Sequence, residues 1–262
     1  KFPINFLYYC SMKKLLLILL CVPLIGLGQQ TYVPDDNFEQ ALINLGYDNI
    51  LDDSVTTSSI DTILILNIFN QNIFSLTGIE DFASLKILRC ASNQLSSLDL
   101  SNNISLVRLY CGGNQLSSLD LSSNSSLIVL RSGNNPFVSL DLSNNHLLVQ
   151  LFCRNCSLTE LNIKNGNNNI LDSLYITENP NLGCIEVNSI NYFNNNFSIV
   201  NDNIDPQHYF STDCNGSTSI GEFIKKKKIH KILDVLGREI TPTNNTPLFY
   251  LFDDGTVEKR II

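Results

Sequence analysis

Leucines return through the middle of this chain at a fixed interval of 21 residues. Leu85, Leu106, Leu127 and Leu148 form one series, Leu88, Leu109, Leu130 and Leu151 a second, and Leu98, Leu119, Leu140 and Leu161 a third. Within each unit, apolar and polar positions alternate. Leu88 and Cys90 are interleaved with Ile87, Arg89 and Ala91, the period of a strand with one buried face. This predicts a strand over residues 86–91 that pairs in parallel with residues 107–112, and so on along the chain. The return segment also alternates, since Leu98 and Leu100 flank Asp99. A 21-residue unit leaves little room for a long helix, so the outer side is predicted to be extended or 3₁₀. About six apolar side chains per unit supply roughly 9 to 18 kcal/mol of burial. Ordering the backbone costs about 1 to 2 kcal/mol per residue, so one unit cannot fold alone and must stack on its neighbours.

Written out once, the unit runs through Leu85, Leu88, Cys90, Asn93, Leu95, Leu98, Asp99, Leu100, Ser101 and Asn103. It resembles the leucine-rich repeat, Leu-x-x-Leu-x-Leu-x-x-Asn/Cys-x-Leu with a period of about 20 to 29 residues. The resemblance implies a curved solenoid with a parallel β-sheet on its concave face. Asn93, Asn114 and Asn135 fall at the bend after each strand, where a buried amide can satisfy backbone groups that the turn leaves unpaired. Cys156 takes that place in the next unit. Ile63, Leu66, Ile68, Gln71, Ile73 and Leu76 form an earlier, degenerate unit, and Leu171, Leu174, Ile176 and Asn179 a later one. Residues 63–187 are therefore read as about six turns.

Met12, Lys13 and Lys14 followed by an apolar run over residues 15–27 have the form of a secretory leader, with Gly26 and Gly28 small enough for cleavage before Gln29. The run is too short to span a bilayer comfortably, which takes about 20 apolar residues. Residues 1–28 are thus read as an upstream extension and signal peptide. Residues 29–62 form an N-terminal cap, in which Asp36 and Glu39 have capping-box spacing ahead of an amphipathic helix carrying Phe38, Ala41, Leu42 and Leu45. Residues 188–214 form a C-terminal cap, and residues 215–224, rich in small polar side chains, a linker.

Six cysteines follow the leader. Cys90, Cys111 and Cys153 occupy slots where the repeat wants leucine and are read as small core hydrophobes. Cys153 and Cys156 have CxxC spacing without a second ligand pair, so no metal is assigned to them. Cys184 and Cys214 lie outside the ladder and are the preferred disulfide in an exported chain, although spacing alone does not determine connectivity.

Residues 225–262 carry three β-rich runs separated by Gly237, Pro242 and Asp254-Gly255. With Asp234, Gly237, Arg238 and Glu239, and then Gly255, Thr256 and Lys259, this stretch resembles the C-terminal sorting domain of type IX secretion in Bacteroidetes. That resemblance implies passage across the outer membrane by the type IX machinery, and a secreted or cell-surface location. The segment over residues 32–51 and the run Leu76-Thr77-Gly78-Ile79-Glu80 are similar to the start of secreted Bacteroidetes leucine-rich-repeat proteins.

Charge is uneven. Residues 29–214 hold six Lys and Arg against 19 Asp and Glu, a net of −13, whereas residues 215–262 hold eight against six. So acidic an array argues against nucleic acid as a partner. Yet Lys86, Arg89, Arg108, Arg131 and Arg154, five of the six cations, fall in the strand segments. The outward position of successive strands reads Asn67, Arg89, Tyr110, Arg131, Phe152 and Tyr175. With strands about 4.8 Å apart, Arg89 to Tyr175 would span roughly 19 Å. Ala91, Gly112 and Gly133 leave this stripe accessible, and Arg108 and Arg154 flank it. Arginine and aromatic residues dominate binding interfaces. The stripe is the candidate ligand site, suited to a protein or an anionic glycan.

Asp99, Asp120 and Asp141 form another column. It lacks a Gly-rich calcium-loop pattern and is read as local hydrogen bonding to turn N–H groups. His146, His208 and His230 are isolated in sequence, and the nucleophile-elbow, P-loop, zincin and dinucleotide motifs are missing. The chain is expected to be a non-catalytic binding or adhesion module without cofactor or metal. A self-assembling surface coat is the main alternative, and a hydrolase with its site in residues 185–214 a lesser one.

Overall fold

The computed structural model describes residues 28–214, 229–233, 237–239, 247–252 and 257–261, so the proposed leader and linker lie outside the described residues. The chain divides into two compact units between Cys214 and Asn215.

The first unit is a right-angled coil of short parallel strands. β3 (Ile65–Asn67), β4 (Ile87–Arg89), β5 (Arg108–Tyr110), β6 (Val129–Arg131), β8 (Gln150–Phe152) and β10 (Ser173–Tyr175) stack in that order into one parallel sheet. Their central residues Leu66, Leu88, Leu109, Leu130, Leu151 and Leu174 are fully buried, as the 21-residue series requires. The strands are three residues long rather than six, because the chain turns as soon as the inward residue after each strand is buried. The outer side is extended, as expected. From residue 139 onward it too forms a parallel sheet, made by β7 (Ser139–Asp141), β9 (Glu160–Asn162), β11 (Cys184–Glu186) and β12 (Tyr209–Ser211). β12 adds one return beyond the six turns of the inner sheet.

Each bend needs one residue in the left-handed region. Asn70, Ser92, Gly113, Asn134, Asn155 and Glu178 take it, with φ between 53° and 68°. Beside them stand the buried amides. Asn93 Nδ2 donates to the carbonyls of Ile68 at 2.8 Å and Cys90 at 3.0 Å, while its Oδ1 accepts from the N–H groups of Gln71 and Ile73. Asn114, Asn135 and Asn179 repeat the arrangement. A second amide ladder serves the outer bends. Asn103 donates to Ile79 and Phe82, Asn124 to Leu100 and Asn103, and Asn145 to Leu121 and Asn124, each to a main-chain carbonyl.

The N-terminal cap differs from the capping box expected of Asp36 and Glu39. The cap of α1 (Asp36–Asn44) is Asp35, whose Oδ1 accepts from the N–H groups of Asn37 and Phe38. Its Oδ2 accepts from Phe74 and Ser75, which ties the helix start to the first outer bend. Glu39, fully buried, instead receives the N–H groups of Asp52, Asp53 and Ser54. That loop leads into β2 (Ser54–Thr56), which pairs antiparallel with β1 (Gln30–Tyr32). Phe38, Ala41 and Leu42 are buried in the same core as the repeats, with Phe38 stacked 6.2 Å from Phe82. At the other end, α2 (Thr57–Ile60) having served the N-terminal side, α3 (Ile190–Asn196) lays Phe193 against Phe197 and Phe210, and Cys184 is bonded to Cys214.

The second unit contains β13 (Ile229–Leu233), β14 (Pro247–Phe252) and β15 (Val257–Ile261), three strands in one antiparallel sheet with β14 central. Asp234, Gly255 and Thr256 of the sorting-domain resemblance lie outside the described residues.

Candidate functional site

Register builds the concave stripe. Asn67 stands opposite Arg89, Arg89 opposite Tyr110, Tyr110 opposite Arg131, Arg131 opposite Phe152, and Phe152 opposite Tyr175. The carbonyl of every member from Arg89 to Tyr175 accepts the N–H of the inward residue one turn earlier, at 2.8 to 2.9 Å. Because the hydrogen bonds are parallel and unshifted, a side chain at one position of the 21-residue period can only stand beside its counterpart in the next turn.

The stacked side chains touch. The guanidinium of Arg89 lies 5.7 Å from the Tyr110 ring centre, and that of Arg131 lies 5.6 Å from Tyr110 and 4.5 Å from Phe152. Phe152 and Tyr175 continue the series as rings stacked 4.9 Å apart at 13°. The result is a file of alternating cation and ring, with guanidinium faces against the π-systems and their N–H edges directed away from them. Held in this way, each arginine has already lost part of its rotamer freedom and keeps donors for a carboxylate, sulfate or phosphate.

Ala91, Gly112 and Gly133 form the floor of an adjoining groove of about 390 Å³, walled by Tyr110, Arg131, Phe152 and Arg154. The floor must be small. A Cβ on Gly133 would lie 2.7 Å from the carbonyl oxygen of Arg154, and one on Gly112 would lie 2.9 Å from that of Gly133. Arg108 starts β5, one position before the buried Leu109, and is exposed beside the file. Arg154 is not free. It pairs with Glu178 at 2.6 Å, which raises its own pKa and lowers that of the carboxyl. The spacing of 24 residues, set by the insertion between the fifth and sixth turns, hides this pair from a 21-residue pattern.

The outer wall carries a second groove, of about 410 Å³, between the Asp99 and Asp120 rungs. Asp99, Asp120 and Asp141 each accept the N–H two residues ahead at 2.9 Å. Those bonds to Ser101 and Ser122 hold the Asp99 and Asp120 carboxyls below their ordinary range. His208 is buried and its pKa is lowered by burial. Its Nδ1 accepts from Asp205 N, and its Nε2 lies 3.3 Å from the Asn179 carbonyl. His146 Nδ1 contacts the Asn165 carbonyl. Among the described residues no three His, Cys, Asp or Glu side chains converge on one point, and no helix is long and apolar enough to cross a membrane.

No protein-family model and no curated protein matches the chain. Among solved structures, the functional domain of InlJ from Listeria monocytogenes, which includes a cysteine ladder, superposes with a TM-score of 0.53 and 29% identity, over 61% of this chain and 38% of that one. The fold is a leucine-rich-repeat solenoid. Two further leucine-rich-repeat structures are similar at 21% identity: the internalin InlF of Listeria monocytogenes, with a TM-score of 0.49 over 62% of this chain and 53% of that one, and the Leptospira interrogans protein LIC12759, with a TM-score of 0.41 over 56% and 38%. The chain therefore spans about two fifths to half the length of these solenoids.

Proposed function

We propose that this leucine-rich-repeat chain is a non-catalytic binding or adhesion module of the cell exterior, holding a protein or an anionic glycan on its concave stripe. The observation that carries the reading is the unbroken file from Arg89 to Tyr175, with three cation-to-ring contacts and one ring stack. An array with 19 acidic and six basic residues has placed its cations on one wall, which steers an anion to that wall. Arg108 widens the cationic field, and Arg154 contributes a donor already shared with Glu178. Export is supported by the leader, by the Cys184–Cys214 bridge, which persists in oxidising compartments, and by the sorting-domain resemblance at residues 225–262.

The test is a protein and glycan array probed with the full chain beside a variant with Arg89, Tyr110 and Arg131 all replaced by alanine. The expected result is binding to acidic ligands that weakens with salt and is lost in the variant. Unchanged binding by the variant would remove the stripe from the function.

A further inference from the structure

Behind the stripe, the inward position after each strand forms a column of small buried side chains: Cys90, Cys111, Ser132 and Cys153. Cys156 belongs to a different set. It occupies the place that Asn93, Asn114, Asn135 and Asn179 take in other bends, where the amide reaches back to the carbonyl three residues earlier. In the fifth turn a sulfur makes that backward reach instead, and Cys156 Sγ lies 3.4 Å from Cys153 Sγ. Two sulfurs at that separation, on residues three apart in a tight bend, need only a small side-chain rotation to bond.

The two thiols are unequal. Cys153 is wholly enclosed, whereas Cys156 keeps 6% exposure at the bend. The contact between them lowers the pKa of Cys156 and raises that of Cys153. Cys90, by contrast, is pushed up to about 12 by burial, and burial also raises Cys111, so both are inert.

We propose that Cys153 and Cys156 are an exchange-competent dithiol that a low-molecular-weight disulfide converts into a covalent clip across the fifth bend. The Cys156 thiolate attacks one sulfur of the incoming disulfide, forming a mixed disulfide and expelling a thiolate. Cys153 gives its proton to that thiolate and attacks Cys156 Sγ. The Cys153–Cys156 bond forms, and the second small thiol leaves with the proton that Cys156 had released. Two protein thiols are oxidised and one small disulfide is reduced to two thiols, so electrons and protons balance. The clip does covalently what the asparagine amide does by hydrogen bonding in the neighbouring bends.

The experiment equilibrates the full chain in glutathione buffers of rising oxidised fraction, quenches it in acid, alkylates free thiols and weighs the peptides. The expected result is a peptide containing Cys153 and Cys156 that is lighter by two hydrogens, while Cys90 and Cys111 remain alkylated. Alkylation of both Cys153 and Cys156 at every ratio, or a bond from Cys153 to Cys111, would overturn the proposal. Cys153→Ser should trap a glutathione adduct on Cys156. Cys156→Asn, which restores the residue of the other bends and so preserves folding, should leave Cys153 as a free thiol without adduct. A glutathione adduct on Cys153 in that variant would overturn the assignment of Cys156 as the attacking group.

Discussion

The guanidinium carbon of Arg131 stands 4.5 Å from the centre of the Phe152 ring, its counterpart one strand further along the sheet. Tyr110 lies against it from the preceding strand at 5.6 Å. An exposed cation–ring contact is worth about 0.5 to 1 kcal/mol. Arg131→Ala is expected to lower the unfolding free energy by about 1 kcal/mol in urea titration. Arg131→Lys, which keeps the charge without the planar face, should fall between the two.

Glu178 holds Arg154 at the rim of the groove, and both are well exposed. An exposed pair adds little to stability. Glu178→Gln should leave the thermal midpoint unchanged while tightening the binding of an anionic ligand, read by titration calorimetry at low salt. Weaker binding in this variant would mean that Arg154 needs its carboxylate partner to face the ligand.

Asn114 holds two carbonyls and the N–H of Leu95 in the interior. Removing the amide leaves those groups unpaired, at about 1 to 3 kcal/mol for each buried group that finds no water. Asn114→Ala should therefore cost on the order of 3 kcal/mol or more by chemical denaturation, far more than Asp99→Ala on the exposed outer wall.

Gly133 is dictated by the approach of its neighbour, since its φ is not in the left-handed region and only the Arg154 main chain bars a methyl group. Gly133→Ala should cost about 1 to 3 kcal/mol through forced displacement. It should also disturb hydrogen exchange at Asn134, whose N–H is bonded to the Arg154 carbonyl at 2.9 Å.

His208 is neutral in its buried site, with the Asp205 carboxylate 3.5 Å from Nε2 not offsetting the loss of solvent. Its folded pKa lies below the unfolded value of 6.5, so the unfolded chain takes up the proton first. Its contribution is complete above pH 6.5 and declines as pH falls below it. Urea midpoints measured from pH 7.5 to 5.5 should drop for the natural chain and drop less for His208→Gln.

The solenoid was legible because burial repeats every 21 residues and parallel pairing cannot slip without exposing Leu88 and its counterparts. The same constraint made the file from Asn67 to Tyr175 readable in advance, as it required only counting. What escaped depended on reach rather than on period. Asp35, not Asp36, caps α1 because it also has Phe74 and Ser75 to hold. Glu39 looked like a helix-capping side chain and serves a loop 13 to 15 residues ahead. The Asn103, Asn124 and Asn145 ladder had the signal of a 21-residue recurrence, yet neighbouring Asn and Ser gave no means of telling which amide points inward. Arg154 met Glu178 across the one junction where the count changes.

Hydrogen-bonded strands line both walls of the coil only from β7 onward, whereas the turns before it are laddered on the inner wall alone. Stiffness is therefore graded along the axis. Under tension or thermal agitation the early turns should open and twist like a loosely wound clock spring, while the later ones behave as a rod. A ligand spanning the two halves would meet a compliant grip at Arg89 and a rigid one at Tyr175.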